Sequence, residues 1–538
     1  IVSAEVQSEH LANAKAIVGA FKKAADVEGV EVIEEVRAGA VPVVLAEMAA
    51  DADPDRVGLV CDGRRWTYGE LLKASKGAAV LFRDSGCAHV GLLDESSEAA
   101  VLALFGAAMA GIPYVPLNYR LADPDLAALL GRIAPAFMIG DVERIQRLDG
   151  DSGHRLNTRA DFVAAAEAAA GDIEVADEAG EGIAVQIFTS GTTSAPKAAL
   201  LRHANLASYI FGTVEFCSAS PDDAVLVSVP PYHIAGIAAL LSSVYAMRRI
   251  ALLPAFEPDA WLSLAASEGV TNTFVVPTML ARIIARMDEG LKPDLSGLRA
   301  IAYGGGKMPL ELIERALQLF PDTDFTNAYG LTETSSTIAL LGPQEHRAAF
   351  ESDDPGARAR LASVGRPLPT IELEIRDEEG RPLPAGERGE IYVRGEQVSG
   401  EYRERKALDA DGWFPTRDAG WLDGEGYLFL AGRADDVIVR GGENISPSEI
   451  EEVLLGHPAI ADAAAVAVPS AEWGEAVGIA VVARPEQVAP AEDELRELIR
   501  ARLRSSRVPE RVAVLDALPY NEMGKLLRRE IRALFANG

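Results

Sequence analysis

The sequence predicts an α/β fold: a large multi-layer α/β N-terminal domain carrying a small β subdomain, followed by a small α+β C-terminal domain. Three observations predict it. From Val41 onward short apolar runs alternate with amphipathic helical stretches, which is the pattern of parallel strands covered by helices. Between Arg366 and Gly395 the texture turns to strands and tight turns, and after Gly432-Arg433 a new compact segment of alternating elements begins.

Taken in chain order, residues 1–40 read as a helical N-terminal extension, with Leu11, Ala14, Val18 and Phe21 near helical spacing. Residues 41–433 are expected to form the large domain. Within it the Ala-rich run Ala164 to Ala170 reads as helix, Ile183 to Phe188 as a buried strand, and Ile234 to Met247 as a core helix too short to span a bilayer. Thr273 to Val276 is expected as a strand, Pro277 to Met287 as a helix and Arg299 to Tyr303 as the next strand. The β subdomain rests on alternation at Ile371, Leu373 and Ile375, a turn at Pro382 to Gly389 and a strand at Glu390 to Arg394. Residues 434–538 are expected to form the C-terminal domain. In it, Ser446 is the expected N-cap of a helix with Pro447 at its first position and Glu449 closing a capping box.

Composition narrows the class. A chain of 538 residues, 49% hydrophobic and 25% charged, can bury a large core and divide into domains. A formal charge of −30 disfavours a general grip on nucleic acid or anionic membrane. Cys61, Cys87 and Cys217 are far apart and lack CxxC spacing, so a disulfide framework or structural zinc is not expected and a reducing, cytoplasmic location is. The start at Ile1 lacks a charged leader followed by an apolar segment, and no secretory signal or membrane span is expected.

The segment with the clearest chemistry is Thr189-Ser190-Gly191-Thr192-Thr193-Ser194-Ala195-Pro196-Lys197, directly after an apolar strand. Hydroxyls, a glycine and backbone N–H groups in such a turn can face phosphate oxygens, and Lys197 adds a charge. The spacing is not that of GxxxxGK[ST], which occurs nowhere in the chain.

This segment resembles the phosphate loop of the adenylate-forming superfamily, which includes acyl-CoA synthetases, aryl-CoA ligases, nonribosomal-peptide adenylation domains and luciferases. Further matches follow in the family's order: Tyr232-His233-Ile234-Ala235-Gly236, Tyr303-Gly304-Gly305-Gly306, Tyr329-Gly330-Leu331-Thr332-Glu333-Thr334, Thr416-Arg417-Asp418, Gly432-Arg433 with Asp435-Asp436, Gly441-Gly442-Glu443-Asn444-Ile445, and Pro519 with Gly524-Lys525. The similarity spans the chain from about Val41 onward.

The resemblance implies an enzyme that uses ATP and Mg²⁺ to turn a carboxylic acid into an acyl-adenylate, releasing pyrophosphate, and then passes the acyl group to coenzyme A with release of AMP. It implies that Thr189, Ser190, Gly191, Thr192, Thr193 and Lys197 hold the outer phosphates, that Thr332 contacts the α-phosphate and that Glu333 holds Mg²⁺. Gly304, Gly305, Gly306 and Tyr329 would form the adenine slot, with Asp418 and Arg433 at the ribose. Lys525 would bridge carboxylate and α-phosphate, His233 would border the acyl pocket as a gate, and Asp435 would be the hinge of a mobile C-terminal domain. Rotation would bring Arg440, Gly441, Gly442 and Glu443, with Trp473, to a thiol channel. The acyl pocket would be lined by Phe211, Gly212, His233, Ile234, Ala235, Gly304, Ala328, Gly330 and Ser335.

Those lining residues are small or apolar, without a cation for a second carboxylate or an acid for an ammonium, so a hydrophobic aryl, fatty or polycyclic acid is expected and an amino acid is not. Ser194 and Ala198 stand where the family's loop usually has glycine, and Ser506 where many relatives have an aromatic residue. An acyl-adenylate ligase that loads a carrier protein's phosphopantetheine shares the first half-reaction and is the alternative. A non-catalytic nucleotide- or acyl-binding scaffold is the other class, but it would be expected to have lost Lys197, Glu333, Asp418, Arg433 and Lys525, all of which are present.

Overall fold

The computed structural model describes residues 41–150, 152–169, 182–189, 196–433, 436–440, 443–470, 472–521 and 526–536. The expected 1–40 extension therefore lies outside the described residues. Among the described residues the strands form four sheets.

The first sheet runs in space as Arg366–Pro367, Ser336–Leu341, Asp324–Leu331, Ala300–Gly304, Asn272–Val275, Ala224–Val227, Arg249–Leu252, Val57–Cys61, Arg64–Thr67. Its six central strands are parallel and the edges antiparallel. The second places Ile183–Thr189, Tyr114–Pro116, His89–Leu93, Ala136–Gly140 and Arg155–Asn157 in parallel, and continues antiparallel through Lys197–Arg202 to the short strands Glu401–Tyr402 and Arg405–Lys406.

One core joins these two sheets. Val90 and Leu92 of the second sheet and Val225 and Ile250 of the first belong to the same cluster of buried side chains. The helix Glu98–Ala110 is apolar on every face, and it buries Ala99 through Met109 in that core. A helix without a polar stripe is stable only where no face meets water, so its composition dictates an interior position. The neighbouring helix Tyr68–Ser85 comes close enough that a Cβ on Gly106 would sit 2.8 Å from the Ala78 methyl.

The expected β subdomain is present as the antiparallel sheet Glu372–Arg376, Gly389–Arg394, Phe414–Leu422, Leu428–Arg433. Strand Asn272–Val275, helix Pro277–Asp288 and strand Ala300–Gly304 follow one another as the periodicity predicts, each boundary within a residue or so of expectation. The core helix Ile234–Tyr245 ends two residues early, where the chain turns through Met247 at φ 57°.

Residues from Ile438 onward build a fourth sheet around Gly474–Ala483, with two apolar clusters of their own. Here one local expectation fails. Ser446 does occupy the N-cap of helix Pro447–Leu455, but its side chain makes no capping bond. Its hydroxyl donates to the Ala431 carbonyl at 2.9 Å instead, joined there by Ser448 at 3.2 Å, while Glu449 pairs with Arg507 at 2.8 Å. A tertiary acceptor on strand Leu428–Arg433 of the β subdomain outcompetes the local N–H. Among the described residues no helix is long and apolar enough to cross a membrane.

Candidate active site

Open parallel sheets present ligands at the carboxyl ends of their strands, and there the motifs converge. Gly304 ends one strand opposite Ala328 of the next, and a Cβ on Gly304 would lie 2.2 Å from the Ala328 carbonyl oxygen. The chain then doubles back through Thr332–Thr334 into Ser336–Leu341, so tightly that a Cβ on Gly330 would fall 1.8 Å from the Ser336 carbonyl oxygen. Only glycine fits at these two crossings. Ser335 and Ser336 both take positive φ, 57° and 119°, which non-glycine residues seldom adopt.

Buried hydrogen bonds hold this reversal. The Thr334 hydroxyl, fully buried, accepts from the Leu331 N–H at 3.0 Å and donates to the Ser336 carbonyl at 2.9 Å. The Gln397 amide donates to the carbonyls of Thr334 and Thr337 at 3.1 and 2.7 Å. Thr332 and Glu333 are thereby set at the turn. Glu333 is only 8% exposed, and its carbonyl accepts from the N–H groups of Ser399 and Gly400. Its carboxylate accepts from the Tyr402 hydroxyl at 2.7 Å. Burial and the Glu333 charge hold the Tyr402 phenol well above its ordinary pKa.

The candidate phosphate loop is flanked by the strands Ile183–Thr189 and Lys197–Arg202. Thr189 pairs with Lys197 across antiparallel strands, and the Tyr402 strand pairs with Ala199 next door. The hairpin and Glu333 are thus brought to one place, with the Lys197 ammonium 5.8 Å from the centre of the Tyr402 ring. Ser190, Gly191, Thr192, Thr193 and Ser194 lie outside the described residues. Ala198, where glycine is usual, is a fully buried side chain within strand Lys197–Arg202 and meets no demand for left-handed backbone.

A second constellation lies on the β subdomain side. Asp418 and Arg433 face each other across strands Phe414–Leu422 and Leu428–Arg433. Arg433 donates to one oxygen of the Asp418 carboxylate at 2.9 Å and the Tyr329 hydroxyl donates to the other at 2.6 Å. The Thr416 hydroxyl, itself donating to the Ile391 carbonyl, accepts from the Asp418 N–H at 3.1 Å. Burial first, then the Asp418 charge, keeps the Tyr329 phenol neutral far above its ordinary range. Each carboxylate oxygen retains a second acceptor position, so Asp418 can still receive ligand hydroxyls.

His233 is the N-cap residue of helix Ile234–Tyr245, its ring 4.6 Å from Tyr232, which meets Tyr119 edge-on at 5.4 Å. Ile234, Ala235 and Ala328 are half-buried, and Phe211 packs on Tyr245 at 5.2 Å. Gly212 faces the Thr370 methyl, and Gly305 takes φ 77° just past the strand end, with Gly306 half-buried beside it. Ser335 is fully enclosed in this conformation.

In the C-terminal region Arg440 donates to the Ser506 carbonyl at 2.8 Å, pairs with Glu510 at 3.0 Å and lies 5.5 Å from the ring centre of Trp473, which is 42% exposed. Glu443 contacts Arg507, whose hydrogen bond holds its carboxyl below the usual range. Asp435, Gly441, Gly442 and Lys525 lie outside the described residues. Their described neighbours are joined, however: Asp436 pairs with Arg532 at 2.8 Å and Arg528 at 3.5 Å, so the start of helix Arg528–Ala536 is tied to the expected hinge segment.

Sequence reasoning missed Tyr402 and Gln397, and gave no role to Thr416 and Asp436 although both stand in the motifs named above. A two-residue strand and an isolated glutamine carry no periodic signal, and Asp436 stands in a motif in which the adjacent Asp435 drew the assignment. Among the described residues no three His, Cys, Asp or Glu side chains could jointly hold a metal ion. A lone buried carboxylate is nonetheless the donor set that suits Mg²⁺ shared with substrate phosphates, since that ion keeps few protein ligands.

Comparison with known proteins gives the same direction. The family model described as AMP-binding enzyme matches residues 46–403, and that of the AMP-binding enzyme C-terminal domain matches 449–525. The feruloyl-CoA synthase of an Amycolatopsis species is 33% identical over 92% of this chain and 99% of its own. The fatty acid–[acyl-carrier-protein] ligase ScoC of Streptomyces coeruleorubidus is 32% identical over 90% and 95%. The o-succinylbenzoate coenzyme A synthetase of Bacillus subtilis, solved with ATP and a magnesium ion, superposes with a TM-score of 0.76 at 29% identity, covering 90% of this chain and 98% of that one. With both family models matched in order and relatives aligned along nearly their whole length, the chain belongs to the family of AMP-binding, adenylate-forming enzymes.

Proposed function

We propose that this protein is an AMP-forming acid–thiol ligase that activates a hydrophobic carboxylic acid with ATP and transfers the acyl group to coenzyme A. The observation that carries the reading is the pairing of two preassembled constellations, Tyr329–Asp418–Arg433 and Glu333–Tyr402, around one strand end and beside the Thr189/Lys197 hairpin. The first supplies acceptors for a ribose and the second a hard carboxylate beside a hydroxyl-rich loop.

Joining a carboxylate to the α-phosphorus of ATP brings anions together, so the protein's work is positioning and charge compensation. Asp418 and Arg433 fix the ribose, the hairpin from Thr189 to Lys197 holds the outer phosphates, and Thr332 donates to the α-phosphate. Glu333 would hold Mg²⁺, which would supply charge neutralisation there. Lys525 bridges the acid and the α-phosphate as negative charge develops, and pyrophosphate leaves. For the second half-reaction residues 434–538 turn about Asp435 relative to 41–433, withdrawing Lys525 and bringing Arg440 to Glu443 and Trp473 toward a thiol channel; such reassembly is a gating step. Phe211, Gly212, Ile234, Ala235, Ala328, Gly330 and Ser335 border the acyl group, with His233 as gate. Free cysteines at 61, 87 and 217 and the relatives' chemistry support work in the cytoplasm.

A carrier-protein thiol as acceptor is the second reading, favoured by the similarity to ScoC. A panel of aryl, fatty and polycyclic acids, assayed for pyrophosphate and AMP with and without coenzyme A, tests both. Acid-dependent pyrophosphate with acyl-CoA formed only when coenzyme A is added supports the first reading. Adenylate that coenzyme A never captures, but a phosphopantetheinylated carrier does, replaces it with the second; failure of every acid to release pyrophosphate overturns both.

A further inference from the structure

Among the described residues a single side chain bonds the Glu333 carboxylate: the Tyr402 hydroxyl, 2.7 Å from Oε1. The same short segment grips Glu333 twice more, through the N–H groups of Ser399 and Gly400 on its carbonyl at 2.9 and 3.2 Å. It is also fastened on its other side, where the Ser399 hydroxyl donates to the Leu200 carbonyl and Tyr402 pairs with Ala199. Residues 399–402 therefore bridge the strand that leaves the hairpin to the carboxylate at the turn. Two cations, Lys197 Nζ and the Arg405 guanidinium, each lie 5.8 Å from the centre of the Tyr402 ring, within the range at which a ring face attracts a cation.

From this geometry we infer that Tyr402 is the positioning residue for Glu333. Its hydroxyl spends one carboxylate oxygen and leaves the other for a cation, and its strand keeps that carboxylate in register with Lys197. A free glutamate would have to give up its rotamer freedom when Mg·ATP arrives; here the donor has restricted it beforehand. The inference rests on the reading of Glu333 as the magnesium carboxylate, and its test separates the two.

Calorimetry with adenosine 5′-(α,β-methylene)triphosphate, with and without MgCl₂, gives the gain in affinity that Mg²⁺ confers on wild type, Tyr402→Phe, Glu333→Gln and the double variant. Tyr402→Phe keeps the ring and the strand pairing, and its melting temperature without ligand checks the fold. The expected result is a loss of about tenfold in the Mg²⁺ gain for Tyr402→Phe, the size of a hydrogen bond to a charged group. Glu333→Gln should abolish the gain, and adding Tyr402→Phe to it should change nothing more. Replacement of Tyr402 by 3-fluorotyrosine, which keeps the hydroxyl, should retain the gain. A full gain in Tyr402→Phe beside its loss in Glu333→Gln overturns the positioning role alone, as does an equal weakening with and without Mg²⁺. A full gain in Glu333→Gln overturns the metal-carboxylate reading and this inference with it.

Discussion

The nucleotide side of the site and the C-terminal region are held by different kinds of interaction. Around Glu333 and Asp418 the polar groups are buried or nearly so and bonded to partners drawn from distant segments: Thr334, Gln397, Tyr402, Tyr329 and Arg433. The C-terminal region meets the large domain through Ser446 and Ser448 on one carbonyl and through exposed ion pairs, Lys307–Glu452 at 2.9 Å and Arg484–Glu311 at 3.7 Å. Exposed pairs contribute about 0–1 kcal/mol each because water and salt compete for both charges. Among the described residues one region is held by buried bonds and the other is joined by exposed pairs, and a contact that costs little to break is what the proposed turn between two half-reactions needs.

The sharpest break of this comparison is Lys525→Ala. If the C-terminal region contributes only the lysine to adenylation, pyrophosphate release falls by roughly 10²- to 10³-fold, whereas capture of a supplied acyl-adenylate by coenzyme A stays near wild type. Equal loss in both steps, measured by separate half-reaction assays, would show that the two regions are not functionally divided.

Acid should strike the large domain. His346 sits between the Tyr303 hydroxyl at 2.8 Å and the Gly342 carbonyl at 2.8 Å, and burial pushes it down to about 4, as it does His203. Both stay neutral when folded but take up a proton near pH 6.5 when unfolded. Their contribution is therefore fully present above about pH 6.5 and is lost as pH falls toward 4, by about 3 kcal/mol for each as an order of magnitude. Urea unfolding followed from pH 7 to 4.5 should show this slope, and His346→Gln should flatten it.

Asp418→Asn sharpens the contrast at the proposed ribose site. It keeps the shape and removes the charge that Arg433 and Tyr329 both address, costing about 2 kcal/mol of folding stability and raising the KM for ATP more than it lowers kcat. Chemical denaturation and initial-rate kinetics read the two effects. The smallest effect is expected for Lys307→Ala, which should change stability by less than about 1 kcal/mol yet, if the C-terminal region turns as proposed, alter the ratio of adenylation to thiol-transfer rates, since the Lys307–Glu452 pair belongs to the placement seen here.

Much of the fold was legible. The strand–helix–strand run from Asn272 to Gly304 and the change of texture at Arg366 follow from periodicity, and residues such as Tyr329, Asp418 and Glu333 stand in motifs that draw attention to them. Their mutual contacts were not legible. Tyr329 and Asp418 are separated by 89 positions and Glu333 and Tyr402 by 69, and no local pattern encodes a hydroxyl's distant acceptor. Ser446 shows the same limit at short range, its capping signal being correct for the backbone and overruled for the side chain by Ala431.

The sequence by itself determined the layered α/β class, the order of the motifs and the glycines at 304 and 330, because these depend on local periodicity and on residue types that tolerate close backbone approach. Only the tertiary structure decided that the uniformly apolar helix Glu98–Ala110 lies inside a core shared by two sheets, and that Tyr402 reaches Glu333. The physical reason is that burial on every face and hydrogen bonds across long stretches of chain are properties of packed neighbours, which local spacing along the chain does not specify.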